Sequence, residues 1–498
     1  MKQYILGIDV GTSQMKVALF DLDGRAVASA TPAYPVYQPH NGWAEQDAED
    51  WWNAAVTGIR EVLHGIDAAS VAAVGLGGQM HGLVMLDEAG APVRRSILWC
   101  DQRTADECRQ ITETVGAERL LTLTANPALT GFTASKILWV RNHEPENYEK
   151  CAHILLPKDY VRYRLTGEFA TDVSDASGMQ LLDVANRCWS EEMLKALDID
   201  RALLAKVYES PEVTGMVTED AARLTGLCAG TPVVAGAGDN AAAAVGTGCI
   251  RDGKSFTTIG TSGVVYAHTS RMAADPAGRI HTFCCAVPGQ WHVMGVTQAA
   301  GLSLSWLRQN ICPELSYREM DALAEQIPIG AEKLLYLPYL MGERTPHLDA
   351  DARGVFFGLS GMHTRAHLIR AVLEGVSYSL KDCQRIIEDV IGTISETTVC
   401  GGGAASSLWR QMIADVYDCK VQTLRANEGV ALGAAILAGV GAGIYPSVAA
   451  GCDRIVEVKE EILPVAENTE KYRKVYAFYD SLYDTMKASY QSLSKMEL

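Results

Sequence analysis

The chain lacks the short motifs that most directly announce a chemistry. No GxxxxGK[ST] and no GxGxxG occurs in its 498 residues, so neither a P-loop nor a standard dinucleotide fold is supported. There is no GxSxG elbow and no HExxH. Positive charge is scarce: 43 Lys and Arg face 60 Asp and Glu, a net charge of -17. Such a field repels phosphate backbones and anionic lipid surfaces, which excludes nucleic acid and membranes as partners. Thirteen cysteines are present, but no CxxC pair and no Cys/His cluster with zinc-ligand spacing, as expected for reduced thiols in the cytoplasm. The opening MKQYILGIDVGTS reaches Asp9 and a glycine turn before an apolar export segment develops. Residues 429–451 carry no charge over about the length of a membrane span, yet Gly439, Gly441, Gly443 and Pro446 interrupt them. They read as a buried, tightly packed helix ending in a glycine turn.

With 48% hydrophobic and 21% charged residues, the chain has ordinary globular composition and the length for two domains with separate cores. Tyr4 to Asp9 and Met15 to Phe20 are apolar runs separated by Gly11-Thr12-Ser13, which predicts a strand, a glycine turn and a strand. Ser255 to Ile259 and Gly263 to Ala267, separated by Gly260-Thr261-Ser262, repeat the design 249 positions later, half the chain length. An internal duplication follows, with two related halves flanking a cleft and a boundary between Gly246 and Asp252, giving domains 1–248 and 249–498. Helical patterns alternate with the strands, so the fold class is α/β. Asp47 is a candidate N-cap for a helix from Ala48 to Leu63, and Arg365 to Val390 is helix-like. From Thr469 onward Tyr472, Tyr476, Tyr479, Tyr483 and Met486 share one helical face, read as a docked terminal helix.

Asp239 is the only charged residue from Leu224 to Ile250, set among glycine and alanine. A carboxylate in so apolar a window is a working acid or base, a ligand anchor, or a helix N-cap, and the window alone leaves these open. Asp9, Gly11, Thr12, Ser13 and Lys16 suit a phosphate cradle, and Asp9 could hold a hydrated magnesium ion; the plain alternative is a hairpin turn. The recurrence of the turn as Gly260-Thr261-Ser262 favours the cradle. Gly402, Gly403 and Ala404, after a strand-like Thr397 to Cys400, would let a flat adenine lie against bare backbone, or form a flexible turn.

Together these residues resemble the FGGY carbohydrate kinases, a branch of the actin-like (ribonuclease H-like) ATPase fold, along nearly the whole chain. Two family patterns match in detail: Gly131-Phe132-Thr133 with Lys136 and Trp139, and Gly354 to Gly375. Gln79-Met80-His81-Gly82, with the segments WAEQD, ILWCDQR, LLPKDY and GERTPH, looks like the xylulokinase branch. The resemblance implies ATP and Mg2+ as cofactors and phosphorylation of D-xylulose on its 5-hydroxyl. Asp239 would be the base and Asp9 the metal-facing carboxylate. Met80, His81, Asn240 and Trp99 would contact the sugar, and a homodimer is consistent with the resemblance. Read without the family, a histidine such as His81 is more often a satisfied structural residue than a ligand contact. The alternatives are another sugar kinase of the family, for L-xylulose, ribulose, gluconate or fuculose, and an actin-like ATPase switch without a small-molecule acceptor.

Overall fold

The structure is a computed structural model that describes residues 2–425 and 429–496. Two seven-stranded sheets repeat one topology. In the first, strand Tyr4–Val10 pairs antiparallel with Met15–Asp21 and parallel with Val71–Gly78. In the second, Lys254–Ile259 pairs antiparallel with Gly263–Thr269 and parallel with Glu396–Cys400. Both sheets then continue outward in the same order. A third parallel strand follows, Pro232–Val234 or Lys420–Leu424, and then an antiparallel edge, Val213–Met216 or Val458–Ile462. The repeat read from the two Gly-Thr-Ser turns is therefore a repeat of whole sheets.

The strands form where the sequence is apolar on both faces. Ile5, Leu6, Ile8 and Val10 are all buried, as parallel strands covered by helices require. Helix Ala48–Val62 starts at Asp47, whose carboxylate accepts the Glu49 N–H at 3.0 Å, and it buries Trp51 and Ile59 against this sheet. Helix Arg365–Ile391 and the terminal helix Ala466–Ser494 cover the second half, with Tyr472, Tyr479 and Tyr483 buried in its core.

One helix crosses between the halves. Gly429–Gly441 belongs to the second half of the sequence but packs on the first sheet, burying Ala431, Leu432 and Ile436 against Ile5, Phe20 and Ala73. A Cβ on Gly433 would overlap the Ala242 carbonyl, and one on Gly246 the Gly429 carbonyl, so this helix and Asp239–Gly246 meet backbone to backbone. That contact explains the charge-free, small-residue stretch: a larger side chain would push the helices apart. Its glycine turn follows, with Gly443 at φ +71°. Among the described residues no helix is long and apolar enough to cross a membrane.

Candidate active site

Asp9 and Asp239 are brought together by sheet register. Asp9 lies beside Gly77 on the central parallel strand, and Gly238 pairs with Gly78 at the end of that same strand. Both carboxylates therefore stand at the carboxyl ends of neighbouring strands, where open α/β sheets bind ligands. Lys16 is directly opposite Asp9 across the antiparallel pair, so the two side chains share a face. Burial and the nearby Asp239 push the Asp9 carboxyl up to about 7, against the pull of Lys16.

Asp239 opens helix Asp239–Gly246, but Gly238 is the cap residue and no side-chain cap bond is made. Asp239 is thus the first residue of the helix rather than its cap residue. Its Oδ1 instead accepts the backbone N–H of Asn240 at 2.6 Å and the Asn240 side-chain amide at 2.9 Å. Burial pushes the carboxyl up to about 6, opposed by these bonds. Behind it, the Gly238 N–H donates to Ser174 Oγ at 3.1 Å, and Ser174 donates to Asp172 at 2.5 Å. Lys158 bridges Asp172 (2.8 Å) and Asp159 (2.6 Å) with all three side chains fully buried. Asp175 stands 3.4 Å from the same lysine, so the carboxylate rests on a buried cluster with more acidic groups than Lys158 alone neutralises.

The first Gly-Thr-Ser turn is pinned by its carbonyls. Gly11 O accepts Tyr34 Oη at 2.5 Å and Gln79 Nε2 at 3.3 Å, and Thr12 O accepts Gln46 Nε2 at 2.6 Å. Trp51 and Gln79 both donate to Gln46 Oε1, which fixes that amide in turn. Trp99 is 42% exposed and donates its indole N–H to Thr12 Oγ1 at 3.0 Å, which attaches it to this turn. Ser13 is exposed.

His81 and Met80 follow the same central strand. Met80 packs against Gly238, where a Cβ would come within 2.8 Å of it. The His81 ring nitrogen Nδ1 lies 2.8 Å from Gly178 O and donates to it, which leaves Nε2 as an acceptor. Burial and the nearby Lys136 hold the imidazole down at about 3, so it stays neutral across the physiological range.

The second turn is held by backbone alone. Gly260 O accepts the N–H of Gly301 at 2.7 Å, and Thr261 O those of Ala300 (3.0 Å) and Leu302 (3.1 Å), at the start of helix Gly301–Ile311. This turn borders a cavity of about 900 Å3 that Gly260, Thr261, Gly402 and Gly403 line together, closed on its far side by Tyr317 and Asp321. Ala404 stands outside that lining, its carbonyl accepting from Arg410; Ala405 and Ser406 line it instead. Among the described residues no hydrogen bond or ion pair joins the Gly11–Ser13 turn to the Gly260–Ser262 turn, so the expected sites form two clusters. Tyr34, Gln46, Gly301 and Asp321 were not legible as site residues. Only Gln46, inside WAEQD, carried any signal.

Two repeated α/β sheets thus carry a pair of carboxylates at the strand ends of one and a wide cavity on the other, and the chain's relatives are sugar kinases. Residues 4–246 match the profile described as "FGGY family of carbohydrate kinases, N-terminal domain", and residues 256–442 that of its C-terminal domain. The chain belongs to the FGGY family of carbohydrate kinases, phosphotransferases with an alcohol acceptor on the actin-like ATPase fold. It is 38% identical to the xylulose kinase of Bacillus subtilis over 97% of each chain. It is 40% identical to that of Escherichia coli over 98% of this chain and 99% of the other. The crystal structure of xylulose kinase from Rhodospirillum rubrum superposes with a TM-score of 0.93 at 30% identity, covering 98% of this chain and 100% of that one.

Proposed function

We propose that the protein transfers the terminal phosphoryl group of ATP to the 5-hydroxyl of D-xylulose, with Asp239 as the base. The observation that carries this reading is the Asp239 carboxylate, raised to about 6 and aimed by Asn240 next to Met80 and His81. The xylulose kinases of B. subtilis and E. coli support the choice of sugar.

Phosphoryl transfer requires mostly positioning and charge stabilisation, with one carboxylate to orient the attacking hydroxyl. Asp239 takes the hydroxyl proton as the oxygen attacks phosphorus, and a pKa near the working pH suits that task. Asn240 fixes the carboxylate and has an amide left for a sugar hydroxyl. Neutral His81 accepts a hydroxyl hydrogen bond at Nε2, Met80 gives an apolar wall to the carbon chain, and Trp99 closes the side nearest Thr12. Residues 1–248 hold the sugar and the phosphates, and 249–498 the nucleotide. Gly402 and Gly403 leave a flat surface for adenine in the cavity, and Gly260-Thr261-Ser262 lead from it toward the phosphates.

Asp9 and Asp239 place two carboxylates together with Lys16 as the opposing charge, a surplus of negative charge that fits a divalent cation. Mg2+ binds through one or two carboxylates and otherwise water and phosphate oxygens, so Asp9 would hold it, with Asp239 close by. Bound there, it would neutralise phosphate charge. The backbone N–H groups of Gly11 to Ser13 supply further donors, because the turn's carbonyls are already occupied. Closing the halves would bring the two turns to one nucleotide and exclude water, limiting ATP hydrolysis. Thirteen free cysteines fit a cytoplasmic location.

A coupled ADP assay over D-xylulose, L-xylulose, ribulose, gluconate and fuculose tests the reading. D-Xylulose should give the highest kcat/KM. Asp239→Ala should lower that rate by about 10^3-fold while ATP still binds. A stronger preference for another sugar overturns the substrate, and an Asp239→Ala rate within a few-fold of the parent overturns the base.

A further inference from the structure

His81 has a backbone φ of +69°, a left-handed conformation uncommon for any residue with a Cβ and held in place here by its surroundings. Three residues of one short segment, Phe132, Thr133 and Lys136, bear on it. Lys136 Nζ donates to His81 O at 2.9 Å and to Gly131 O at 2.7 Å. Thr133 Oγ1 donates to the same His81 carbonyl at 3.1 Å, and the Phe132 ring lies tilted at 52° against the imidazole, 4.9 Å away. From the other side Gly178 accepts the ring N–H, and any Cβ on Gly178 would overlap the imidazole. The ring is thereby held in one orientation from both ends.

Lys136 is the unexpected member. Its side chain is wholly buried on helix Thr133–His143, and among the described residues no carboxylate pairs with it. Both of its hydrogen-bond partners are backbone carbonyls. Burial pushes the amine down to about 7, with the charge of Asp101 the main opposing influence, so the site is costly for a lysine, and methionine would fill the same volume without that cost. What the ammonium does that methionine cannot is hold a carbonyl turned the wrong way by a left-handed residue.

We propose that Lys136 is a positioning residue that sets affinity for the sugar by fixing the backbone of His81, with Thr133 as its weaker partner. This rests on the reading of His81 as a sugar contact. It assigns a role to Gly131-Phe132-Thr133 with Lys136, whose members converge on the one histidine that faces the acceptor. The segment does not touch the nucleotide cavity, so its loss acts on one substrate only.

The test measures KM for D-xylulose and for ATP, kcat and Tm in His81→Ala, Lys136→Met, Thr133→Val and the double variant His81→Ala/Lys136→Met. Lys136→Met should raise the sugar KM about tenfold and Thr133→Val a few-fold, with the ATP KM unchanged. In the double variant the sugar KM should be no higher than in His81→Ala alone, because the lysine acts only through the histidine. Multiplying penalties, or equal rises in both KM values, overturn the inference. Should Lys136→Met fail to fold, an unchanged sugar KM in folded Thr133→Val overturns it as well. A sugar KM unaffected by His81→Ala removes the underlying reading along with the inference. A sugar KM raised by His81→Ala but not by the other two removes the inference alone.

Discussion

At the first Gly-Thr-Ser turn the carbonyls of Gly11 and Thr12 are taken by the side chains of Tyr34, Gln79 and Gln46. At the second, the carbonyls of Gly260 and Thr261 are taken by backbone N–H groups at the start of helix Gly301–Ile311. The two turns end equivalent strands and solve the same problem, finding donors for their carbonyls, by different means. The difference is in what each solution connects to. Gln79 directly precedes Met80 and His81, and Trp99 donates to Thr12, so the first turn is wired by side chains to the proposed sugar contacts. The second is wired by backbone to the cavity wall, where Gly301 and Leu302 stand beside Gly402 and Gly403. Duplication supplied the frame, and the pins differ: side chains link the first turn to the segment of Met80 and His81, and backbone links the second to the cavity wall.

The comparison breaks most visibly at the glycines. A Cβ on Gly11 would come within 2.7 Å of Gln14 O, whereas one on Gly260 would sit an ordinary 3.5 Å from Ser262 O. Gly11→Ala should therefore raise the ATP KM or lower kcat by about 100-fold, since displacements near 1 Å cost that much, and Gly260→Ala should stay within a few-fold. The steric demand of the second turn falls on Gly301, whose Cβ would lie 2.5 Å from Gly260 O. Steady-state kinetics of the two variants decide; equal damage from Gly11→Ala and Gly260→Ala would erase the asymmetry.

A smaller effect comes from pH. Asp9 and Asp239 are raised from the ordinary carboxylate range to about 7 and about 6, so they take up protons as pH falls through that window. Protonated Asp239 cannot accept the hydroxyl proton, and kcat/KM for the sugar should fall about tenfold between pH 7.5 and pH 5. His81, held near 3, adds nothing in that interval. A flat profile would contradict the base assignment at the first half while leaving the cavity of the second untouched. The least effect is expected of Tyr34→Phe. It removes one of three pins on the first turn, worth about 1 kcal/mol or roughly a five-fold change in ATP KM, with no change in sugar KM.

Local patterns carried much of this into the sequence. Strand, Gly-Thr-Ser, strand is a contiguous signal, and it located both sheets. Asp239 stood out because a lone charge among glycine and alanine is locally anomalous, and the helix at Asp47 followed from its cap. What the sequence hid is long-range. Nothing in 429–441 says that a helix from the second half lies on the first sheet, because its small residues fit any close backbone approach. Tyr34 and Gln46 gave no sign of reaching Gly11 and Thr12, since a hydrogen bond to a distant carbonyl leaves no periodicity. The bare glycines at 402 and 403 were legible, but which of the next residues face the cavity depends on a short 3-10 turn, which placed Ala405 and Ser406 there and Ala404 outside.

The central claim is that both turns serve one nucleotide, whose terminal phosphate meets a sugar hydroxyl held at Asp239. A crystal structure with a non-hydrolysable ATP analogue, Mg2+ and D-xylulose tests it directly. The account predicts adenine beside Gly402 and Gly403, phosphates between the two turns, and the sugar's terminal hydroxyl within about 3 Å of the Asp239 carboxylate. Sugar and nucleotide found on separate surfaces, with Asp239 touching neither, would contradict it.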